Sequence, residues 1–216
     1  KIVCKLFVND KPYMIRYFYK NGNEYFKAIQ GEVNSKGKKH GEYKELYNNG
    51  QIEIYTNYVA GKYHGDYKKW YDNGEICEHA NYVNGEMHGE YKEWYENCQM
   101  KIHTNYVDGK KHGEYKEWYN NGEICEHANY VNGEIHGEYK EWYDNCQMKI
   151  HTNYVDGKKH GDYKVWNNNG QMWKHVNYVD GKFHEYYKSW YDDGQIREHK
   201  HYVDGKEHGE FKIWYE

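Results

Sequence analysis

Histidine is the residue type in this sequence that both titrates near neutral pH and binds transition metals. The chain contains 15 histidines, and most recur at two positions of a 24-residue period that begins at His40. A zinc site needs several donors about 2 Å from one ion, whereas equivalent residues two strands apart are separated by about 10 Å. The best ligand pair, Cys77 with His79, supplies only two donors. We therefore expect no metal site, and we expect His79 to lie in a cross-strand polar ladder beside Lys68 and Glu90.

A row of tryptophans is the second feature with binding potential, through ring stacking or apolar contact. Tryptophan recurs at the seventh repeat position, and the candidate binding residues are Trp70, Trp94, Trp118, Trp142, Trp166 and Trp190. Two interpretations stay open. The rings either stabilise a one-layer sheet by packing, or they form a platform for sugar rings or a partner peptide, since large exposed apolar strips mark interaction sites. A further tryptophan, Trp173, is expected across the hairpin from Trp166.

Catalytic chemistry is not predicted. An enzyme concentrates acid, base and nucleophile in one pocket, but a near-perfect repeat offers the same residues at every step. The cysteines are copies as well: Cys77 corresponds to Cys125, and Cys98 to Cys146, which indicates duplication rather than a disulfide framework. We predict a protein that is not an enzyme, with no catalytic residues and no cofactor.

The elements that position these residues come from one repeated unit. A His-Gly pair recurs every 24 residues from His40 onward, with Glu185 once in place of the glycine. Residues 1–39 are predicted to be a divergent N-terminal cap, of the kind that repeat arrays need at an exposed end. Residues 40–207 then form seven 24-residue repeats, and residues 208–216 form an incomplete terminal repeat.

Each repeat contains two turn signals and two strand patterns. In the repeat that begins at His64, Asn73-Gly74 and Asn84-Gly85 both indicate two-residue hairpin turns, because glycine accepts a positive φ. The stretches between the turns are rich in β-forming residues and show no helical period. We predict an all-β fold, an elongated single-layer antiparallel β-meander of stacked 24-residue β-hairpin repeats with about sixteen strands.

Two-residue turns would fix the pairing register inside a repeat. The expected cross-strand partners in the repeat that begins at His64 are Tyr71 with Ile76, Tyr67 with Ala80, and Gly65 with Tyr82. The missing side chain of Gly65 is expected to leave room for the Tyr82 ring. Side chains alternate along strands, so one face carries these tyrosines and the other carries the tryptophan, lysine and histidine rows. A bulged turn would slip this register by one residue.

Composition restricts the classes of core and of partner. Apolar residues make up 38% of the chain, mean hydropathy is -1.32, and 28 residues are tyrosine. The buried surface must therefore come largely from tyrosine and tryptophan rings. The net charge of -4 and the absence of a basic block argue against nucleic-acid binding and against a polybasic membrane anchor. No apolar run is long enough for a signal peptide or a transmembrane segment, so we expect an intracellular protein.

The repeat resembles a known family, the MORN repeat, in the variant found in bacterial proteins and in large DNA viruses of amoebae. The matching segments are YVDGKKHGEYKEWYNNG at 106–122 and its copies at 58–74, 82–98, 130–146, 154–170, 178–194 and 202–216. Glu86, Glu134 and Glu185 depart from the pattern. The resemblance implies a single elongated antiparallel sheet and a scaffold or adaptor role. It also implies frequent homodimers, some association with membranes or phosphoinositides, and an antitoxin label in some bacterial relatives.

We therefore expect a non-enzymatic scaffold that mediates protein–protein interaction or self-assembly through an aromatic-rich sheet surface. Two alternatives remain open: a module that binds phosphoinositide, a membrane surface or carbohydrate, and an antitoxin-like inhibitor of a partner protein. The expected location is the cytoplasm, or the virion or host cytoplasm if the protein is viral, with peripheral membrane attachment as a further option. The acidic neighbours of the repeat lysines and the negative net charge weaken the case for phospholipid.

Overall fold

A computed structural model describes the backbone of residues 2–8, 11–18 and 26–215, and the side chains of residues 31–215. All regular elements in these ranges are β-strands, which confirms the all-β prediction. The strands are β1 (Ile2–Val8), β2 (Lys11–Phe18), β3 (Phe26–Val33), β4 (Lys39–Leu46), β5 (Ile52–Val59), β6 (Lys62–Trp70), β7 (Ile76–Val83), β8 (Glu86–Met87), β9 (Gly89–Trp94), β10 (Met100–Val107), β11 (Lys110–Trp118), β12 (Ile124–Val131), β13 (Glu134–Ile135), β14 (Gly137–Trp142), β15 (Met148–Val155), β16 (Lys158–Trp166), β17 (Met172–Val179), β18 (Lys182–Trp190), β19 (Ile196–Val203) and β20 (Lys206–Ile213).

The chain forms two compact units, residues 1–110 and residues 111–216. Within each unit, consecutive strands pair antiparallel in a single layer of hairpins, except that β7 pairs with both β8 and β9, and β12 with both β13 and β14. β8 with β9, and β13 with β14, are two halves of one interrupted strand. The predicted meander of hairpins is therefore confirmed in each unit.

The second turn of each repeat has the predicted two-residue form. In the hairpin between β7 and β8, Val83 pairs with Glu86, and Asn84 and Gly85 both have positive φ, at 53° and 91°. Two consecutive positive φ angles define a type I′ turn, whose twist matches that of the flanking strands. The amide of Gly85 also donates to the carbonyl oxygen of Tyr63 at 2.8 Å, so the turn is hydrogen bonded to the preceding repeat.

The first turn of each repeat is one residue longer than predicted. Gly74 N donates to Tyr71 O at 3.0 Å, and Tyr71 N donates to the carbonyl of Glu75 at 2.8 Å, which encloses a three-residue loop. Gly74 has φ +90°, as expected for a type I turn that ends in a bulge glycine. The predicted pairing of Tyr71 with Ile76 is therefore wrong, since Ile76 pairs with Trp70 instead.

A bulge after this turn restores the predicted register. Between β6 and β7, the pairing shifts between Lys69 and Trp70, and Cys77 is the extra residue. A single inserted residue compensates for the longer loop. The other two predicted partnerships, Tyr67 with Ala80 and Gly65 with Tyr82, are confirmed.

The His-Gly pair marks a second bulge, for a reason that differs from the prediction. In β16, His160 pairs with Asn153 and Tyr163 with Thr152, so Gly161 and the residue after it are additional. Gly161 has φ +80°, and a Cβ built on it would meet nothing within 4 Å. The glycine is therefore favoured by its backbone conformation. The expected role of Gly65, to leave room for the ring of Tyr82, is wrong, since a Cβ at Gly65 would also meet nothing within 4 Å.

Residues 1–39, predicted to be a cap, contribute β1, β2, β3 and the first residue of β4. β3 pairs with β4, and Gly31 lies directly opposite Tyr43. A Cβ at Gly31 would lie 2.5 Å from Cδ2 of Tyr43, so here the close approach of a ring does require glycine. The side chains of residues 1–30 lie outside the described residues, and the cap function of this segment stays a prediction.

The core of each unit lies on its tyrosine-bearing face. In the first unit, the rings of Tyr43 and Tyr58 are 6% and 7% exposed and meet edge to face at 5.2 Å. In the second unit, Tyr115 and Tyr130 meet in the same way at 5.7 Å. Small residues fill the centre between the rings, and Ala128 is fully buried. The prediction that aromatic rings replace an aliphatic core is thus correct for tyrosine.

Lysine side chains extend the tyrosine core at the type I′ turns. The Nζ atom of Lys111 lies 3.9 Å from the ring centre of Tyr115 and 5.1 Å from that of Tyr130. Lys159 has the same position over Tyr163, at 3.8 Å. Burial lowers the pKa of both lysines, but the cation–π contact favours their charged form.

Candidate binding surface

The face opposite the tyrosines carries a row in which lysine and histidine alternate. In the second unit, Lys116 pairs with His127, His127 with Lys140, and Lys140 with His151. The predicted place of His79 beside Lys68 is confirmed. The second neighbour of His79 is Lys92 in the next strand and not Glu90, so that part of the prediction is wrong.

Acidic side chains at the third repeat position neutralise this row. The carboxylate of Glu114 accepts a hydrogen bond from Lys116 Nζ at 2.8 Å and lies 3.0 Å from Nε2 of His127. The same arrangement recurs around Glu90 and Glu138. The hydrogen bond from the neighbouring lysine lowers the pKa of each of these carboxyl groups. The lysines and carboxylates therefore form a repeated ion-pair ladder of small individual strength, and the histidines join it through hydrogen bonds to the same carboxylates.

In each unit, the candidate tryptophans lie on the face that carries that unit's ladder, because they follow the ladder lysines by two residues along each strand. They form what we call the Trp row: Trp70 and Trp94 in the first unit, and Trp118, Trp142, Trp166 and Trp190 in the second. All six side chains are half-buried. The packing and binding interpretations are thus both compatible with their exposure, and the tyrosines, not the tryptophans, supply the buried rings.

The main chain of the Trp row is held in place by hydrogen bonds from tyrosine hydroxyls, which were not predicted from the sequence. Tyr119 OH donates to the carbonyl oxygen of Trp142 at 2.7 Å, and Tyr143 OH donates to that of Trp166 at 2.9 Å. Each tyrosine is the residue after a tryptophan and reaches the next repeat. The recurring Trp-Tyr dipeptide was the available signal. We call these contacts the tyrosine bridges.

Trp173 does not lie where it was expected. Met172, not Trp173, pairs with Trp166, because the three-residue turn moves the register by one position. Trp173 occupies the bulge position of its repeat, corresponding to Cys77, and its side chain is 38% exposed. Together with Trp190 it lines a cleft at the three-residue turns of the second unit.

Three carboxylates lie side by side on the tyrosine face of the second unit. Glu126 pairs with Glu117 on one side and Glu141 on the other. Burial raises the pKa of Glu126, and the negative charge of Glu117 raises it further. Tyr115 OH donates to Glu117 at 2.7 Å, and Lys149 lies 2.6 Å from a carboxylate oxygen of Glu141. These neighbours stabilise the outer two charges. At Glu126, the hydrogen bond from Tyr139 and the charge of Lys111 offset the rise in pKa only in part.

Neither a metal centre nor a membrane-spanning helix is found in the described part of the chain. No three histidine, cysteine, aspartate or glutamate side chains among these residues come together as a metal site. The same residues include no helical segment with the length and hydrophobicity that crossing a bilayer requires.

Comparison with known families identifies the repeat. A family model described as the MORN repeat variant matches residues 39–60, 63–84, 87–108, 111–132, 159–180 and 186–204, which together make up more than half of the chain. Residues 135–156, outside these matches, differ from residues 87–108 only by Ile135 and Asp144. A comparison with proteins of curated function finds no match. The chain therefore belongs to the MORN repeat variant family.

Proposed function

We propose that the protein is a non-enzymatic scaffold that binds a partner protein through the Trp row. The observation that supports this proposal is the half-burial of six large aromatic side chains in equivalent positions of successive repeats. Tryptophan is enriched among the residues that dominate binding energy at interfaces. Aromatic side chains set within a polar surface are also typical of the centre of an interface.

The charge arrangement favours a protein partner over an anionic membrane. The ladder lysines have an acidic side chain within ion-pair distance in every described repeat except that of Lys188, where Tyr186 replaces the acid; Glu90, for example, lies 2.8 Å from Lys92. The cations are therefore already neutralised, whereas phosphoinositide headgroups require clusters of unpaired basic residues. An antitoxin-like role would be one form of the proposed activity, because an inhibited toxin is also a protein partner.

The regular spacing favours a partner that is itself extended or repeated. Equivalent tryptophans lie two strands apart, or about 10 Å. A partner that spans several repeats can use several equivalent contacts at once, and the affinity then rises steeply with the number engaged. A second copy of this chain has the same spacing, so a homodimer is one assembly that the proposal includes.

The test compares the full chain with a Trp142→Ala/Trp166→Ala double variant in affinity capture from native cells. The matched control is Val155→Ala/Val179→Ala, which removes apolar side chains that are 40% and 36% exposed. We expect partners to be retained by the wild type and the control and lost by the tryptophan variant, and light scattering of all three proteins then tests self-association. Equal capture by a folded tryptophan variant would contradict the proposal.

A further inference from the structure

One tyrosine bridge is missing from the second unit. The bridging hydroxyls of Tyr119, Tyr143 and Tyr191 each donate to a carbonyl oxygen of the next repeat, at 2.7 to 2.9 Å. At the equivalent position, residue 167 is asparagine. Its turn is unchanged, since Asn167 N donates to Gln171 O at 2.8 Å and Gly170 N donates to Asn167 O at 2.9 Å. The substitution therefore removes a ring and leaves the backbone in place.

A cleft of about 450 Å³ lies where the ring is missing. It is lined by Asn167, Trp173, Trp190, Tyr191, Asp192, Asp193 and Arg197. The tyrosine wall is fixed, because Tyr191 OH donates to Trp214 O at 2.7 Å. Residue 173 is a tryptophan in this repeat alone, while the corresponding residues in the other complete repeats are Glu, Cys, Lys or Arg. Two substitutions relative to the other repeats therefore lie at one place: Asn167 opens the cleft, and Trp173 adds an aromatic wall to it.

The polar groups of the cleft disfavour an anionic ligand. The carboxylates of Asp192 and Asp193 outnumber the single guanidinium group of Arg197, which lies 5.8 Å from the Tyr191 ring centre. Asp192 accepts a hydrogen bond from Asn167 Nδ2 at 3.2 Å, and Asp193 accepts one from Gln195 N at 2.8 Å. Each carboxylate has a second oxygen and further lone pairs for a ligand.

This mixture of groups matches a neutral sugar ring. Each sugar hydroxyl can donate to a carboxylate or to an amide oxygen and can accept from a guanidinium or amide N–H. The apolar C–H face of a pyranose can pack on an indole ring, a flat surface that combines apolar area with a polar edge. Ligand sites combine such apolar walls with a few convergent polar groups.

A second cleft, more open to solvent, adjoins the first. It has a volume of about 470 Å³ and is lined by Tyr143, Asn167, Asn168, Asn169 and Asp192. Asn167 and Asp192 belong to both clefts, so the hydrogen bond between them forms the shared boundary. Amide side chains supply both donors and acceptors to hydroxyl groups. The continuation provides space for a second ring.

We propose that these adjoining clefts bind a neutral oligosaccharide of at least two pyranose rings, with one ring stacked against Trp173. This site lies at the three-residue turns, and its ligand is independent of the protein partner proposed for the Trp row. A failure of either proposal leaves the other standing, because the variants used for the Trp row do not alter Asn167 or Trp173.

The decisive variant is Asn167→Tyr, which restores the side chain present at the other bridge positions. A new hydroxyl can reach the carbonyl oxygen of Trp190, so this variant is expected to fold with equal or higher stability while its cleft is filled. A second variant, Trp173→Lys, places in the wall the residue that stands at positions 101 and 149. The control is Tyr71→Asn, which removes a bridge in the first unit, where Cys77 stands in place of the tryptophan.

The measurement is calorimetric titration of the full chain with neutral gluco-, manno-, galacto- and N-acetylglucosamine oligosaccharides of one to six rings. We expect binding of at least one series, stronger for two or more rings than for one, and at least tenfold weaker in both cleft variants. Tyr71→Asn should bind as the wild type does. The proposal is overturned if no series binds, if either folded cleft variant retains affinity within threefold of the wild type, or if tetramethylammonium or inorganic phosphate binds more tightly.

Discussion

Glu185 is the position at which the bulge interpretation can be tested most cleanly. It stands where the other complete repeats have glycine, and its φ is +58°. A residue with a Cβ loses about 1–2 kcal/mol in this left-handed region, whereas introducing glycine costs about 0.4–1 kcal/mol through the entropy of the unfolded chain. We therefore expect Glu185→Gly to stabilise the protein by about 1 kcal/mol.

The assay combines chemical denaturation with hydrogen exchange of β18 and β19. Repeat arrays can unfold in separate blocks, so exchange of the amides next to residue 185 reports the local gain more directly than one midpoint. The reverse change, Gly161→Ala, serves as the matched control, because its φ is +80° and a Cβ there would meet nothing within 4 Å. It should cost about as much as the first variant gains.

The stabilities of the Glu185→Gly and Gly161→Ala variants together test whether the His-Gly glycine has a conformational role. If Glu185→Gly leaves stability unchanged or lowers it, and Gly161→Ala is tolerated without loss, then the His-Gly pair has no conformational role. The glycine would in that case have to be explained by a contact that the structure does not contain.

Three further predictions concern hydrogen bonds and titration. Tyr119→Phe should destabilise the second unit by about 0.5–1.5 kcal/mol in urea titration, because it removes the 2.7 Å bond to the Trp142 carbonyl, and a neutral result would show that the bridge is replaced by water. Glu126→Gln should raise stability at pH 7, since the raised pKa of this buried carboxyl means that its ionisation opposes folding. The gain should disappear as the pH falls below the ordinary glutamate range, and a gain that persists there would contradict the assigned cause. Glu114→Gln should have the opposite sign: the carboxyl pKa is lowered by Lys116, so its contribution, below about 1 kcal/mol for an exposed pair, is present above that range and is lost on acidification.

The type I′ turns were predictable because their chemistry is local. Asn84-Gly85 needs positive φ at both residues, and Asn followed by Gly is the pair that tolerates this most readily. The first turn carries the same dipeptide, Asn73-Gly74, yet forms a three-residue loop. Asn73 Oδ1 accepts a hydrogen bond from Glu75 N at 2.9 Å, which stabilises the longer form. A dipeptide alone does not distinguish the two turns.

The two faces were predicted correctly except next to the three-residue turn, where Ile76 pairs with Trp70 and not, as expected, with Tyr71. The bulge at Cys77 adds one residue opposite the longer loop, and the bulge at the His-Gly pair adds two, so the side-chain alternation survives both. This is why Tyr67 still faces Ala80. The prediction that His79 neighbours Glu90 was wrong for a related reason. The register between repeats depends on the two-residue bulge at the His-Gly pair, which the turn signals do not indicate.

The candidate cleft could not be inferred from the repeat consensus. The sequence shows that Asn167 and Trp173 depart from the pattern, but they are six residues apart. The bulge geometry and the position of the next turn are needed to bring both against Trp190 and Tyr191. The tyrosine bridges were likewise hidden, since they join residues 23 positions apart across neighbouring repeats.

The central claim, that the Trp row is the partner-binding surface, is tested most directly by oxidative footprinting of tryptophan with a captured partner. The full chain is labelled alone and in complex with the purified partner, and modification is quantified at each tryptophan. We expect protection of Trp142 and Trp166, with the buried tyrosines unchanged. A complex that leaves the modification of both tryptophans unaltered would show that the partner binds elsewhere.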